Sequence, residues 1–235
     1  MMESIALITD STIAMLSGIG MTFQLLFISA FFGMILAVAL LLMRMSGKWY
    51  LSGLAQAYIY VFRGTPILVQ MFIIYYGLPQ FEVIRESFLW PVLREGYGCA
   101  IVALFLNSCA YTTEILRGGV LGVDKGVLEA ASALGMSKRQ RLIHITAPIA
   151  MRLSIPAYSN EFISLLKSTA LASTITVIDM TGIGRTLVAE TFAPYEIYIS
   201  LAVIYIVLTF FIQRSFGSIE SVLSRHCAKK LGRKE

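Results

Sequence analysis

Residues 19–43 contain no Asp, Glu, Lys or Arg, and this uncharged apolar run constrains the fold more than any other feature. A transmembrane helix needs roughly 20 consecutive apolar residues, because the bilayer core offers no water to hydrogen-bond an exposed backbone. The whole chain has 57% hydrophobic and 14% charged residues, whereas soluble domains carry about 25% charged residues. The sequence therefore predicts an all-α, polytopic membrane protein.

Five apolar segments are long enough to cross a bilayer, at roughly 19–43, 54–78, 98–116, 155–178 and 197–212. We expect residues 1–235 to form a single transmembrane domain. The distribution of Lys and Arg predicts the orientation, because cytoplasmic loops are enriched in both. With the N-terminus outside, the outer segments hold 3 of these residues and the inner segments hold 15. The N-terminus is therefore expected outside and the C-terminus in the cytoplasm.

The longest polar segment that can form a helix runs from Asp124 to Pro148, between the third and fourth apolar segments. The charge count places this segment in the cytoplasm. Its alanine-rich start predicts a slim helix at about 125–135, which Gly135 can end in a left-handed turn. Such a helix can bind in a groove on another protein. The alternative is an amphipathic helix that lies on the membrane surface.

The second apolar segment is interrupted by the sequence Arg63-Gly64-Thr65-Pro66. Pro66 removes a backbone donor, so we expect a break or kink at Gly64–Pro66, followed by the half that crosses the bilayer. An arginine is costly at depth in a membrane. Arg63 therefore either extends back to the inner interface or takes a direct part in transport.

Two carboxylates, Glu114 and Glu161, lie in the third and fourth segments. An ionisable residue within the membrane is a functional-site candidate by default, and a carboxylate suits a cationic ligand. We expect other side chains of the same segments and of the second segment to complete a binding site. These candidates are Asn107, Tyr111, Asn160, Gln70, Met71 and Tyr75.

The candidate residues also have structural alternatives. Glu114 can pair with Arg117, three residues later on the same helix face. Glu161 can pair with Lys167 or with Arg152. The two asparagines can instead hydrogen-bond neighbouring membrane helices.

The sequence offers little for an enzyme. The two histidines form no metal cluster, no G-x-x-x-x-G-K-[ST] phosphate loop is present, and Ser159-Asn160-Glu161 has no histidine base near it. The three cysteines, Cys99, Cys109 and Cys227, have no metal-binding spacing. We therefore expect no cofactor and no metal in this chain. Because its basic residues flank apolar segments, they indicate contact with membrane lipid and no nucleic acid partner.

Glu129-Ala130-Ala131, followed by Gly135 and then by Ile145-x-x-Pro148, resembles the EAA motif of ATP-binding-cassette importer permeases. In that family this coupling helix docks on the ATPase subunit and passes its closure to the membrane spans. The resemblance therefore implies an ATPase-coupling role for Glu129, Ala130, Ala131 and Gly135. Asp124 stands where the family commonly has proline, and this departure is expected to soften the turn that enters the helix.

Four further segments resemble the polar amino acid permeases, and in particular the M-type subunits of basic amino acid transporters. These segments are Phe62–Gln70, Leu106–Ile115, Pro156–Glu161 and Lys167–Ala172. The resemblance covers roughly residues 18–214. It implies uptake of polar, more narrowly basic, amino acids of the histidine, arginine, lysine and ornithine class across the bacterial inner membrane, through a pocket among these spans.

The resemblance also implies partners. They are a homologous Q-type permease subunit, two ATPase subunits that bind ATP and Mg, and an external solute-binding protein. Three alternatives stay open within the family: a homodimer of permeases, a substrate bound only by the partner permease, and an opine-type amino acid as the substrate.

Overall fold

The computed structural model describes the backbone of residues 2–231 and the side chains of residues 7–223. Over this part the chain is helical without strands, as the sequence predicts. The side chain of Cys227 and residues 232–235 of the basic tail lie outside the described residues. The α-helices are α1 (Met2–Leu16), α2 (Ile19–Arg44), α3 (Trp49–Gly64), α4 (Ile67–Phe72), α5 (Glu82–Arg85), α6 (Trp90–Leu93), α7 (Gly96–Leu121), α8 (Lys125–Ala133), α9 (Lys138–Arg141), α10 (Ala147–Thr169), α11 (Met180–Thr191) and α12 (Pro194–Leu231).

Among the described residues, α2, α7 and residues 194–223 of α12 are long and apolar enough to cross a membrane. The number rises to five if each of two bent pairs is one span. One pair joins α3 to residues 67–80 with a bend of 103°, and the other joins residues 138–175 to α11 with a bend of 49°. Several helices extend beyond the apolar segments, because hydropathy marks only the part of a helix that faces apolar surroundings.

α1 is an element that the sequence did not predict. It packs against α11 and α12, where Met15 is completely buried together with Met180 and Ile197. Residues 7–16 are apolar but too few to span a bilayer. A search for apolar runs of spanning length therefore passes over α1.

α7 is the central helix and contacts α2, α3, α4 and α10. Gly119 allows α7 to approach α10 closely, because a Cβ at this position would clash with the Ser154 hydroxyl and with the backbone of Ala150. Ser154 adds a hydrogen bond across the same contact, from its hydroxyl to the carbonyl of Ile115 at 3.3 Å. Small residues at such crossings are typical of helix pairs in membranes.

The 103° bend between α3 and α4 lies at Gly64–Pro66, where the sequence predicts the break. Pro66 has no N–H, so it cannot donate to the carbonyl of Phe62 four residues earlier. Two side-chain amides donate to that oxygen instead, from Gln70 Nε2 at 2.9 Å and from Asn107 Nδ2 at 3.2 Å. The unpaired carbonyl is thus satisfied by one residue beyond the break and one on α7.

The same network holds the rest of the break. Gln70 Nε2 also donates to the carbonyl of Thr65 at 3.0 Å and to its hydroxyl at 2.8 Å. Gln70 Oε1 accepts a hydrogen bond from Asn107 Nδ2 at 3.0 Å. Because Gln70 is buried, its amide depends on these protein partners for its hydrogen bonds.

We expect Gln70→Leu to lower the free energy of unfolding by about 1–3 kcal/mol, because partly buried backbone acceptors at the break lose a donor. Thermal unfolding of the purified protein in detergent measures the change. Gln80→Leu is the matched control, since Gln80 is exposed and its amide bonds the Tyr76 carbonyl within its own turn. Equal unfolding midpoints for the two variants would contradict a stabilising role for the network.

Candidate functional site

A polar cavity of about 450 Å³ lies beside the broken helix. Its walls come from the end of α3 with the break that follows, from α7 and from α10. The lining residues are Arg63, Gly64, Thr65, Pro66, Ile67, Asn107, Tyr111, Glu161, Ser164, Leu165 and Ser168. We call this space the Glu161 cavity.

The Glu161 cavity presents one carboxylate and one guanidinium among its lining residues, from Glu161 and Arg63. Ser108 on α7 and Arg63 on α3 are both close enough to the Glu161 carboxylate to stabilise its charged form. This cation differs from the two that the sequence suggested as partners. A cavity with one charge of each sign can hold a zwitterion, with its cationic group at Glu161 and its carboxylate at Arg63.

Arg63 also contacts an aromatic ring. Its guanidinium carbon lies 5.1 Å from the centre of the Tyr111 ring, within the range of a cation–π interaction. The sequence leaves open whether Arg63 extends to the inner interface or takes a direct part in transport. The structure places it on the cavity wall.

Glu114 does not line the Glu161 cavity. Nε and Nη2 of Arg117 each lie 2.8 Å from Glu114 Oε2, and Arg44 Nε lies 3.8 Å from Oε1. The structural alternative of a pair with Arg117 is therefore confirmed, and Arg44 joins it from α2. Sequence spacing could not reveal Arg44, because it is distant in the chain. With two guanidinium groups beside it, Glu114 has its charge largely balanced within the protein.

Four other predicted site residues lie outside the set that lines the cavity. Met71 is completely buried in the core, and the amide of Gln70 is engaged at the break. The Tyr75 hydroxyl is 3.5 Å from Thr176 Oγ1. Asn160 is exposed, and it points away from Glu161 because neighbouring helical residues are rotated by about 100°.

Ser164 and Ser168 also line the cavity from α10, although neither is among the site residues that the sequence predicts. They follow Glu161 by three and seven residues, so all three side chains share one helix face. This spacing is a signal that the sequence contains. Of the predicted residues, the structure brings Asn107, Tyr111 and Glu161 together around one cavity.

The polar segment after α7 forms α8, and Gly135 follows its end with φ of +77°. Met136 N donates to the Ala131 carbonyl at 3.1 Å and Gly135 N to the Ser132 carbonyl at 3.0 Å, the pattern of a Schellman motif. The left-handed end expected at Gly135 is thus confirmed. Asp124 does not soften the entry, because its Oδ1 accepts a hydrogen bond from Val127 N at 3.2 Å and caps the helix.

α8 leaves apolar side chains uncovered. Leu134 is 83% exposed and Val127 is 43% exposed. Glu129 and Ala130 are also exposed, whereas Ala131 is buried. The side chains of Val127 and Leu134 leave the start and the end of α8 open to contact with another protein.

Comparison with known proteins gives matches along almost the whole chain. Residues 29–224 match the family described as "Binding-protein-dependent transport system inner membrane component". The octopine transport system permease protein OccM of Rhizobium radiobacter is 47% identical over 218 residues, which cover 93% of this chain and 89% of that protein. The histidine/lysine/arginine/ornithine transport system permease protein HisM of Escherichia coli (strain K12) is 38% identical over 211 residues, 89% of either chain.

Solved structures agree with these matches. A crystal structure described as an amino acid ABC transporter with histidines has a TM-score of 0.81 and 34% identity, and the match covers 91% of this chain and 95% of that chain. An inward-facing MetNI methionine ABC transporter has a TM-score of 0.72 at 20% identity and shares the fold. The chain therefore belongs to the binding-protein-dependent transport system inner membrane component family, as its EAA-like motif predicts.

Proposed function

We propose that this inner-membrane permease takes up a polar, cationic amino acid, and that the substrate crosses the membrane through the Glu161 cavity. The observation that carries the proposal is that Glu161 and Arg63, which have opposite charges, line one polar cavity between α3, α7 and α10. Support also comes from relatives whose names give basic amino acids or opines as their cargo.

The size and polarity of the cavity suit an amino acid. Small-molecule sites commonly occupy roughly 300–1,000 Å³, and this one measures about 450 Å³. In the proposed arrangement Glu161 binds the cationic side chain, Arg63 binds the α-carboxylate, and Ser164 and Ser168 add hydrogen bonds. Asn107 contributes through its carbonyl oxygen, since its amide group donates to Phe62 and Gln70.

An opine-type substrate is a second candidate. It is favoured by the 47% identity to the octopine permease and by 43% identity over 229 residues to the nopaline permease NocM of Agrobacterium fabrum. An opine joins an amino acid to a keto acid and carries an additional carboxylate. That group calls for a second cation, and Arg44 lies in the cavity next to the Glu161 cavity.

The proposal includes a complex of several chains. α8 binds a separate ATPase subunit that holds ATP and Mg, and this chain performs no hydrolysis of its own. A homologous Q-type permease, a second ATPase and an external solute-binding protein complete the assembly. With five spans and the N-terminus outside, α8 faces the cytoplasm, in agreement with 15 inner against 3 outer basic residues. Residues 1–235 then form one transmembrane domain.

The class of substrate is tested by ATPase stimulation of the reconstituted complex with its binding protein. Basic amino acids, opines and neutral amino acids are compared at equal concentration. We expect stimulation by a basic amino acid or an opine and none by a neutral one. If no amino acid or opine stimulates hydrolysis, the proposed substrate class is wrong.

We expect Glu161→Gln to lower the initial rate of uptake of labelled substrate by roughly tenfold or more. A hydrogen bond to a charged group contributes about 1.5–3 kcal/mol, and about 1.4 kcal/mol corresponds to a factor of ten. Uptake into proteoliposomes that contain the whole complex measures the change. Glu190→Gln, at an exposed position of α11, is the control with unchanged uptake. Equal rates in both variants would remove Glu161 from the site.

Glu114→Gln is expected to act on stability instead. Removing the carboxylate leaves the positive charges of Arg44 and Arg117 without the anion between them. We expect the free energy of unfolding to fall by roughly 1–3 kcal/mol. This is less than for a fully buried pair, because the cluster is partly exposed. Thermal unfolding measures the loss. Glu95→Gln serves as the matched control, because Glu95 and Arg94 form an exposed pair at 3.4 Å. The same small shift in both variants would contradict a structural role for Glu114.

Leu134→Glu is expected to weaken binding of the ATPase, because it places a charge on the exposed apolar surface of the α8 end. This position tests docking more cleanly than Ala131, which is buried, or Gly135, whose positive φ strains any larger residue. Co-purification of the ATPase with the permease measures binding. Val83→Glu, an equally exposed apolar position on a segment assigned to the outside, should leave co-purification unchanged. Full recovery of the ATPase with Leu134→Glu would contradict docking at α8.

A further inference from the structure

A second cavity of about 460 Å³ adjoins the Glu161 cavity. Three residues belong to the walls of both cavities: Arg63, Gly64 and Tyr111. Arg44 and Glu114 line the second cavity and do not line the Glu161 cavity. The two spaces are therefore neighbours that share a wall, and we call the second one the Arg44 cavity.

The shared wall is a contact between side chains. Arg63 belongs to the last turn of α3 and lies over the ring of Tyr111 on α7, at 5.1 Å from the ring centre. A Cβ built on Gly64 meets no atom within 4 Å. The backbone beside the pair thus leaves open space, and the stacked guanidinium and ring occupy the boundary.

The two cavities follow each other along α7. Asn107 lines the Glu161 cavity, Tyr111 lines both, and Glu114 lines the Arg44 cavity. These residues lie on one helix face and span about 10 Å at 1.5 Å per residue. The direction from Asn107 to Glu114 leads towards the end of α7 that precedes α8. The Arg44 cavity therefore lies nearer the α8 side of the molecule.

We propose that the Arg63–Tyr111 pair is the barrier between the substrate cavity and the Arg44 cavity, which receives the carboxylate of the amino acid as it leaves towards the α8 side. The inference rests on the proposed function. Glu114 supplies one negative charge between Arg44 and Arg117, so this cluster keeps a net positive charge, and Arg63 adds a second cation at the wall of the Arg44 cavity. Arg63 lines both cavities and can keep its hold on the carboxylate while its guanidinium leaves the ring.

The chemistry of the pair suits a barrier that opens in each cycle. A cation–π contact is weaker than a charge-assisted hydrogen bond between a guanidinium and a carboxylate. A substrate carboxylate in the Glu161 cavity therefore competes with Tyr111 for Arg63. Since Arg63 is exposed and is followed directly by the break in the helix, its side chain has room to turn.

The barrier is tested by thiol labelling of the nucleotide-free, substrate-free complex in proteoliposomes. Ser164→Cys places a reporter in the Glu161 cavity, in a Cys227→Ser background, and the two other cysteines are buried. A cationic, membrane-impermeant methanethiosulfonate reagent is added from the α8 side. We expect the Ser164→Cys thiol to be labelled slowly with native Tyr111. With Tyr111→Leu we expect labelling to be roughly tenfold faster, because the cation–π contact is lost. Tyr111→Phe keeps the ring face and should keep the slow rate.

Gln56→Cys reports only on the Arg44 cavity. It should be labelled fast with native Tyr111, with Tyr111→Leu and with Tyr111→Phe. Equal Ser164→Cys rates with leucine and phenylalanine at position 111 would overturn the barrier. If Tyr111→Leu does not assemble with the ATPase, Arg63→Met, which keeps length and removes the charge, replaces it with the same expected acceleration. Because labelling needs no substrate, a failure of amino acid uptake would refute the proposed function and leave this result standing.

Discussion

The carbonyl of Phe62 is the group on which the site depends. Pro66 cannot donate to it, and within a membrane an unsatisfied carbonyl is costly because water is absent. Gln70 and Asn107 supply the missing donors. These hydrogen bonds allow the helix to end at Gly64 and turn by 103°. The turn brings Arg63 and the break to the wall of the Glu161 cavity, so one missing N–H shapes both the architecture and the cavity.

The two intramembrane carboxylates show how environment separates residues of the same chemistry. Glu114 is surrounded by Arg117 and Arg44, and its charge is used within the protein. Glu161 lines a cavity, with the Ser108 hydroxyl and the Arg63 guanidinium near it. A carboxylate that faces open polar space is able to exchange partners, whereas one held between two guanidinium groups stabilises the contact between α2 and α7.

The amino-acid sequence predicts the all-helical class, the break at Gly64–Pro66 and the left-handed end at Gly135, because each follows from local chemistry. It also placed Asn107, Tyr111 and Glu161 near one another. It could not place Arg44 beside Glu114, since that contact depends on how α2 packs on α7. Met71 and Tyr75 are expected from the sequence to complete the site from the second apolar segment. The bend after Gly64 rotates that segment, and neither residue lines the cavity.

The close approach at Gly119 has a mechanical consequence. At this crossing only the small Ser154 side chain lies between the two backbones, and it donates a hydrogen bond across the contact, so the helices cannot slide past each other without a clash. We infer that α7 and α10 keep their relative position, with α8 joined to α7 through residues 122–124. On the proposed function, a displacement of α8 would then move α7 and α10 together. The broken end of α3 forms the third wall of the cavity, and it is then the wall that can move relative to the other two.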